Sequence, residues 1–182
     1  MKSYLHPNLL CDMYKIAHRP QYPSGTKRVY STGTFRTSRI DGVNHAVYAG
    51  GQMVMKDIHD FFEENFFKKD IQDIIADYCR IISNTLGEQQ PEVKHIEDLH
   101  SLGCLPVEFK DIPEGTIVPI RTPVFTIENT IDEFFWVTNF LETLISCEFW
   151  QLPTSATISL EYMKLFKHYA NKTASSSDFV PF

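Results

Sequence analysis

Residues able to handle an anion are concentrated between Asn8 and Arg39, NLLCDMYKIAHRPQYPSGTKRVYSTGTFRTSR. Seven of the chain's 17 lysines and arginines (Lys2, Lys15, Arg19, Lys27, Arg28, Arg36 and Arg39) lie within residues 1 to 39 with a single acid, Asp12. That part carries +6 and the remaining residues −12. Charge effects fade within about 8–10 Å in physiological salt, so a cationic segment on an acidic body acts locally and suits an anion, of which phosphate is the commonest. Tyr14 beside Lys15, His18 beside Arg19, and Tyr22 between Gln21 and Pro23 set rings among the cations. That interleaving suits a flat, partly aromatic ligand. It equally suits a plainer arrangement in which Tyr14 and Tyr22 anchor an N-terminal arm and the basic side chains sit in water. Nucleic acid binding would draw on the same cations, but the acidic body and the lack of any recognised module argue against it.

Other chemistry is sparse. Cys11, Cys79, Cys104 and Cys147 are far apart with no CxxC pair, which argues against a zinc ribbon and against a dense disulfide framework and reads as reduced, mostly packed thiols. His95 and His100, five apart on a helix, would point about 140° from one another, a poor arrangement for a shared metal. Gly50-Gly51 ahead of a helix could cradle phosphate on backbone N–H groups, but no P-loop or GxGxxG pattern accompanies it, so close packing is the better reading. No apolar run approaches the roughly 18 residues of a membrane span, and no signal-peptide pattern opens the chain. A cytoplasmic protein is expected, with no membrane or nucleic acid partner.

Asp12-Met13-Tyr14-Lys15, His18, Gln21-Tyr22-Pro23 and Val29-Tyr30-Ser31 together resemble, in order and spacing, the opening of the nicotinamide phosphoribosyltransferase family, type II phosphoribosyltransferases of NAD salvage. The likeness continues through Leu105-Pro106-Val107-Glu108, Pro113-Glu114-Gly115, Phe125 to Thr130 and Trp136 to Thr143. It implies transfer of phosphoribosyl from phosphoribosyl pyrophosphate to nicotinamide, giving the mononucleotide and pyrophosphate. It also implies that Tyr14 stacks on the nicotinamide ring across a homodimer and that Arg36, with Arg39 as a weaker candidate, meets the pyrophosphate. Asp12 would line the nicotinamide pocket and orient Tyr14, or else pair with Lys15 or Arg19. The family's members run well past 182 residues and use Mg and ATP. Their His-Asp-Phe and Arg-Gly segments, carboxamide-binding aspartate and phosphorylated histidine have no counterpart here. The resemblance therefore implies an N-terminal part that binds no cofactor alone and has no catalytic residue of its own. Such a part would be inactive unless joined to a C-terminal complementing chain. A non-catalytic complementing or regulatory fragment, or part of a nicotinate phosphoribosyltransferase, are the alternatives.

The elements that must position these residues read as mixed α/β (α+β). The resemblance implies that residues 1–149 form a sheet-and-helix domain, and 150–182 the first helix and stub of a catalytic α/β barrel that is missing or only begun. Strands are expected over Arg28 to Arg39, Ala46 to Tyr48, Leu105 to Phe109, Thr116 to Ile120 and Val124 to Glu128. Apolar residues at three-and-four spacing predict helices over Gln52 to Phe67, from an Asp70 cap to Gly87, and over His95 to Leu102. A further helix should start from a Thr130/Glu133 capping box, with Phe134, Val137, Leu141 and Leu144 at the centre of the core. Pro153 should open a last helix with Ile158, Tyr162, Leu165, Phe166 and Tyr169 on one face, before Ser175-Ser176-Ser177 and an apolar stub, Asp178 to Phe182, too short to bury itself.

Overall fold

The computed structural model describes residues 6–174 together with Ser176 and Val180. Helices dominate, around two small antiparallel sheets. Strand β1 (Tyr30–Thr34) and strand β3 (Val107–Asp111) flank β5 (Pro123–Asn129), giving the order β1-β5-β3. Tyr30 stands opposite Glu128, and Val107 opposite Asn129. The second sheet pairs β2 (His45–Val47) with β4 (Ile117–Pro119). The prolines bordering the expected strands mark this separation: Pro119 ends β4, and the chain turns through Arg121 before β5.

Helix α1 (Gly51–Phe62) buries Val54, Ile58 and Phe62, one residue per turn, and its stripe reaches Phe66 through a π-helical turn over Glu63–Phe67. The single helix expected over Gln52 to Phe67 is thus two joined pieces. Helix α2 (Ile71–Leu86) begins where the Asp70 carboxylate accepts the Gln72 N–H at 2.7 Å, and it ends at Gly87 in the left-handed conformation. Ile74, Tyr78 and Ile82 face the core. Helix α3 (Lys94–Leu102) contributes Ile96 and Leu99.

Helix α4 (Val137–Phe149) starts later than its capping signature suggests. The Thr130 N–H is committed to the Pro106 carbonyl at 2.8 Å, and the chain turns through a 3-10 segment, Asp132–Phe134, to leave the sheet. The Thr130/Glu133 box therefore does not form. The core placement nevertheless holds: Phe134, Val137 and Leu141 are buried and Leu144 is half-buried against them. Only Trp150 separates α4 from the last helix, α5 (Gln151–Thr173), which lies against β2. Of the segment beyond it, Ser175, Ser177, Asp178, Phe179, Pro181 and Phe182 lie outside the described residues, while Val180 is buried.

The strand expected from Arg28 to Arg39 spans only Tyr30–Thr34, with an irregularity in pairing at Gly33/Thr34, so Arg36 and Arg39 lie in the loop beyond it. Gly50 and Gly51 are packing residues. A Cβ on Gly50 would stand 2.2 Å from Leu152, and one on Gly51 would collide with the Tyr48 hydroxyl. The cysteines are all free: Cys11 and Cys79 are half-buried, whereas Cys104 and Cys147 are exposed, so only half of them are packed.

Candidate functional site

The basic segment folds as a 3-10 stretch, Met13–Gln21, with Pro20 inside it, and lies along α4. Its attachment accounts for most of its charge. Lys15, only 5% exposed, donates to the Glu142 carboxylate at 2.8 Å and to the Asn139 carbonyl at 3.1 Å. Glu142 also accepts the Ser31 hydroxyl at 2.6 Å, so one carboxylate ties arm, β1 and α4 together. Arg19 pairs with Glu92, Lys27 with Asp132 at 3.3 Å and Arg28 with Glu128 at 3.3 Å. The buried Asn129 side chain accepts the Val29 N–H at 2.8 Å and donates to the carbonyls of Lys27 (2.8 Å) and Ile131 (2.9 Å), which pins the arm to the end of β5. Of the seven cations, Lys2 lies outside the described residues and four have carboxylate partners. Among the described residues, no ion pair engages Arg36 or Arg39.

A cleft of about 1000 Å³ opens between this arm, β1 and α4. Asp12, Tyr14 and Lys15 lie on its arm side, and Phe125 and Phe149 contribute rings 5.3 Å apart. Arg36 also lines it. β1 crosses the cleft from Ser31, at the Lys15–Glu142 end, toward Arg36 beyond its other end. Five residues of extended chain span at most about 17 Å, the scale of a nucleotide with its phosphates. Gly33 makes the crossing possible, because it stands opposite Phe125 and a Cβ there would lie 2.1 Å from the Phe125 ring.

The two tyrosines of the arm behave differently. Tyr22 is half-buried, edge-on to Phe135 with centroids 5.2 Å apart, and is an anchor. Tyr14 is 60% exposed at the cleft, with its ring 5.1 Å from that of His18. Asp12 makes neither of the expected ion pairs, since Lys15 and Arg19 are taken by Glu142 and Glu92. Its carboxylate instead accepts the Thr143 hydroxyl at 2.9 Å and the Tyr14 hydroxyl at 3.4 Å, which restrains the ring in the cleft. Asp12, Tyr14 and Arg36 are thus brought to one place. Arg39 does not line the cleft.

Nothing in spacing alone connects residue 15 with 142 or residue 12 with 143, so Glu142 and Thr143 as anchors of the arm escaped sequence reasoning. Their signal lay in the Trp136 to Thr143 motif, without a role attached. Cys147 and Trp150, which also line the cleft, gave no signal. Elsewhere, His95 sits edge-on to Trp136 at 4.9 Å; burial and then the Arg19 guanidinium lower its pKa to about 3. His6, near Phe66 and Tyr78, is lowered by burial to about 4. His100 instead contacts the Lys69 carbonyl at 2.9 Å. Among the described residues, no three His, Cys, Asp or Glu side chains are placed to hold a metal, and no helix is long and apolar enough to cross a membrane.

No family model matches the chain. Relatives named nicotinamide phosphoribosyltransferase do. That of Acinetobacter baylyi is 41% identical over 182 residues, covering 97% of this chain and 36% of the relative. That of Mycoplasma genitalium is 28% identical over 204 residues, covering 100% of this chain and 43% of the relative. The chain therefore spans well under half the length of these relatives. Among solved structures, the crystal structure of human nicotinic acid phosphoribosyltransferase matches with a TM-score of 0.57 at 19% identity, over 89% of this chain and 29% of that one, a likeness of fold.

Proposed function

We infer that this chain belongs to the type II phosphoribosyltransferase family and supplies one wall of a site that transfers phosphoribosyl from phosphoribosyl pyrophosphate to nicotinamide. What carries the reading is the convergence of Asp12, Tyr14 and Arg36 on one cleft, while four other cations of the same segment are already neutralised. In the reaction the pyridine nitrogen forms a bond to the anomeric carbon. The bond from that carbon to pyrophosphate breaks, and its electron pair leaves with the pyrophosphate. Such a displacement needs the ring held face-on and the departing charge met by cations.

Tyr14 offers a restrained ring for stacking, worth about 1 kcal/mol beyond area burial, and acts on a nicotinamide held across a subunit interface. Asp12 is a positioning residue acting through the Tyr14 hydroxyl. Arg36, which no carboxylate among the described residues engages, presents a guanidinium fork to the pyrophosphate. Arg39, outside the cleft, has the weaker claim. For the magnesium implied by the family, the described residues offer no group of three His, Cys, Asp or Glu side chains placed to hold it. The rest of the site is contributed by a polypeptide like the unmatched part of the relatives, in the same or a complementing chain. Purified chain alone should form no mononucleotide above a no-enzyme control. Joined to the unmatched part of the Acinetobacter relative, it should form it from nicotinamide. Turnover by the chain alone, or none by a folded joined protein, would count against this reading.

A further inference from the structure

One face of α4 holds the arm at three points. Asn139 and Thr143, four residues apart, lie on the same side of the helix with Glu142 between them. Thr143 Oγ1 accepts the Asp12 N–H at 3.3 Å and donates to the Asp12 carboxylate at 2.9 Å, and Glu142 takes the Lys15 ammonium. Asn139, buried, gives its backbone carbonyl to Lys15 and its side-chain amide to His18, whose ring Nδ1 accepts from Asn139 Nδ2 at 3.2 Å. That bond engages the Nδ1 lone pair and leaves the ring proton on Nε2. His18 belongs to the same sequence motif as Asp12 and Tyr14 but is half-buried and does not line the cleft. Its ring stands 5.1 Å from that of Tyr14, tilted by 56°.

We propose that His18 is a positioning residue for Tyr14: held by Asn139, it fixes the tyrosine ring from one side, while Asp12, held by Thr143, restrains the hydroxyl. The ring then meets a flat aromatic ligand already oriented. Three observations favour this over a role in merely fastening the arm. The arm is already fastened by buried Lys15, by the Arg19–Glu92 pair and by Tyr22 against Phe135, so the contact with Tyr14 is what His18 adds. The segment is 3-10, in which residues three apart eclipse and residues four apart do not, so periodicity does not bring Tyr14 and His18 together and the Asn139 bond is what sets the approach. Tyr14 is exposed, and an exposed ring without a neighbour would lose rotational freedom on binding, a cost that prior restraint removes. Both restraints trace to α4, whose Val137, Leu141 and Ile145 are buried, so the orientation of the ring inherits the rigidity of the core. This role of His18 rests on the stacking role given to Tyr14 above, but its first test needs no turnover.

NMR of the chain with isotope-labelled tyrosine rings, Tyr14 being assigned by its loss in Tyr14→Phe, reads the contact directly. The Tyr14 ring signals should be displaced from those of free tyrosine and should return toward them in His18→Ala, with the remaining tyrosines unmoved. Nitrogen spectra of the labelled histidine rings should place the His18 proton on Nε2. Tyr14 signals indifferent to His18→Ala, or a His18 proton on Nδ1, would overturn the assignment. In the chain joined to the unmatched part of the Acinetobacter relative, His18→Ala should raise the Michaelis constant for nicotinamide about fivefold and leave kcat and the constant for phosphoribosyl pyrophosphate within about twofold. His18→Phe, which keeps a ring beside Tyr14, should recover most of that loss. In a Tyr14→Ala background, His18→Ala should have no further effect, because its partner is gone. A penalty that persists undiminished in that background, or that falls equally on both substrates, would make His18 a strut of the arm and overturn its positioning role. A folded joined protein that forms no mononucleotide counts against the proposed reaction instead, and the ring signals then decide whether His18 sets Tyr14.

Discussion

Helices α4 and α5 are joined through one residue, Trp150, and both repeat apolar side chains at helical spacing, yet they meet opposite surroundings. Helix α4 is closed in by the sheet, α1 and the basic arm, with Val137, Leu141 and Ile145 buried. Helix α5 turns hydrogen-bonding groups toward β2 and its aromatic stripe toward solvent. The pair teaches that a stripe specifies which face of a helix needs cover, while the cover itself depends on a surface elsewhere in the chain or in another. On α4 that surface lies in the chain, and on its outer side it holds the arm that carries Tyr14.

The contrast predicts a graded set of effects. Leu141→Ala should cost roughly 2–5 kcal/mol, since the site is fully packed and would leave a cavity; chemical denaturation measures it, and a midpoint equal to the parent's would remove Leu141 from the core. Acid should act on the same packed half. His6 and His95 are held neutral with pKa values lowered to about 4 and about 3, so below about pH 6.5 the unfolded chain takes up protons that the folded chain refuses. Each should withdraw on the order of 1 kcal/mol per pH unit as the pH falls from 6.5 toward 4. Thermal midpoints of the parent against His6→Phe and His95→Phe would show a flatter acid limb in the variants. An unchanged slope would mean these rings are solvated.

Gly33→Ala, on the cleft floor, should cost about 1–3 kcal/mol and push the Phe125 ring from its place. Stability measurement together with a crystal structure of the variant would check it, and an unmoved ring would deny that Gly33 is needed for the crossing. Phe166→Ala should be the mildest, within about 0.5 kcal/mol. A loss as large as that of Leu141→Ala would mean that α5 is not the exposed member of the pair.

The short-range features were legible where local chemistry decides them. Asp70 and Gly87 bounded α2 because a cap and a left-handed stop are written into those residue types. The Thr130/Glu133 signature misled because the Thr130 N–H was already taken by a strand neighbour, a long-range fact. Net charge drew attention to the basic segment, but not to which cations survive; Lys15, one of those counted, is a buried strut. Tyr14 and Tyr22, indistinguishable by composition, were separated only when Phe135 appeared beside one and open space beside the other.

The central claim is that Tyr14 and Arg36 face different substrates in one cleft. Steady-state kinetics of the joined protein carrying Tyr14→Phe, Tyr14→Ala or Arg36→Ala test it most directly. Tyr14→Phe should keep the Michaelis constant for nicotinamide within about threefold, and Tyr14→Ala should raise it about tenfold or more, equivalent to ~1.4 kcal/mol of lost stacking. Arg36→Ala should raise that for phosphoribosyl pyrophosphate and leave nicotinamide nearly unchanged. Equal losses for Tyr14→Phe and Tyr14→Ala, or an Arg36→Ala defect confined to nicotinamide, would contradict the account.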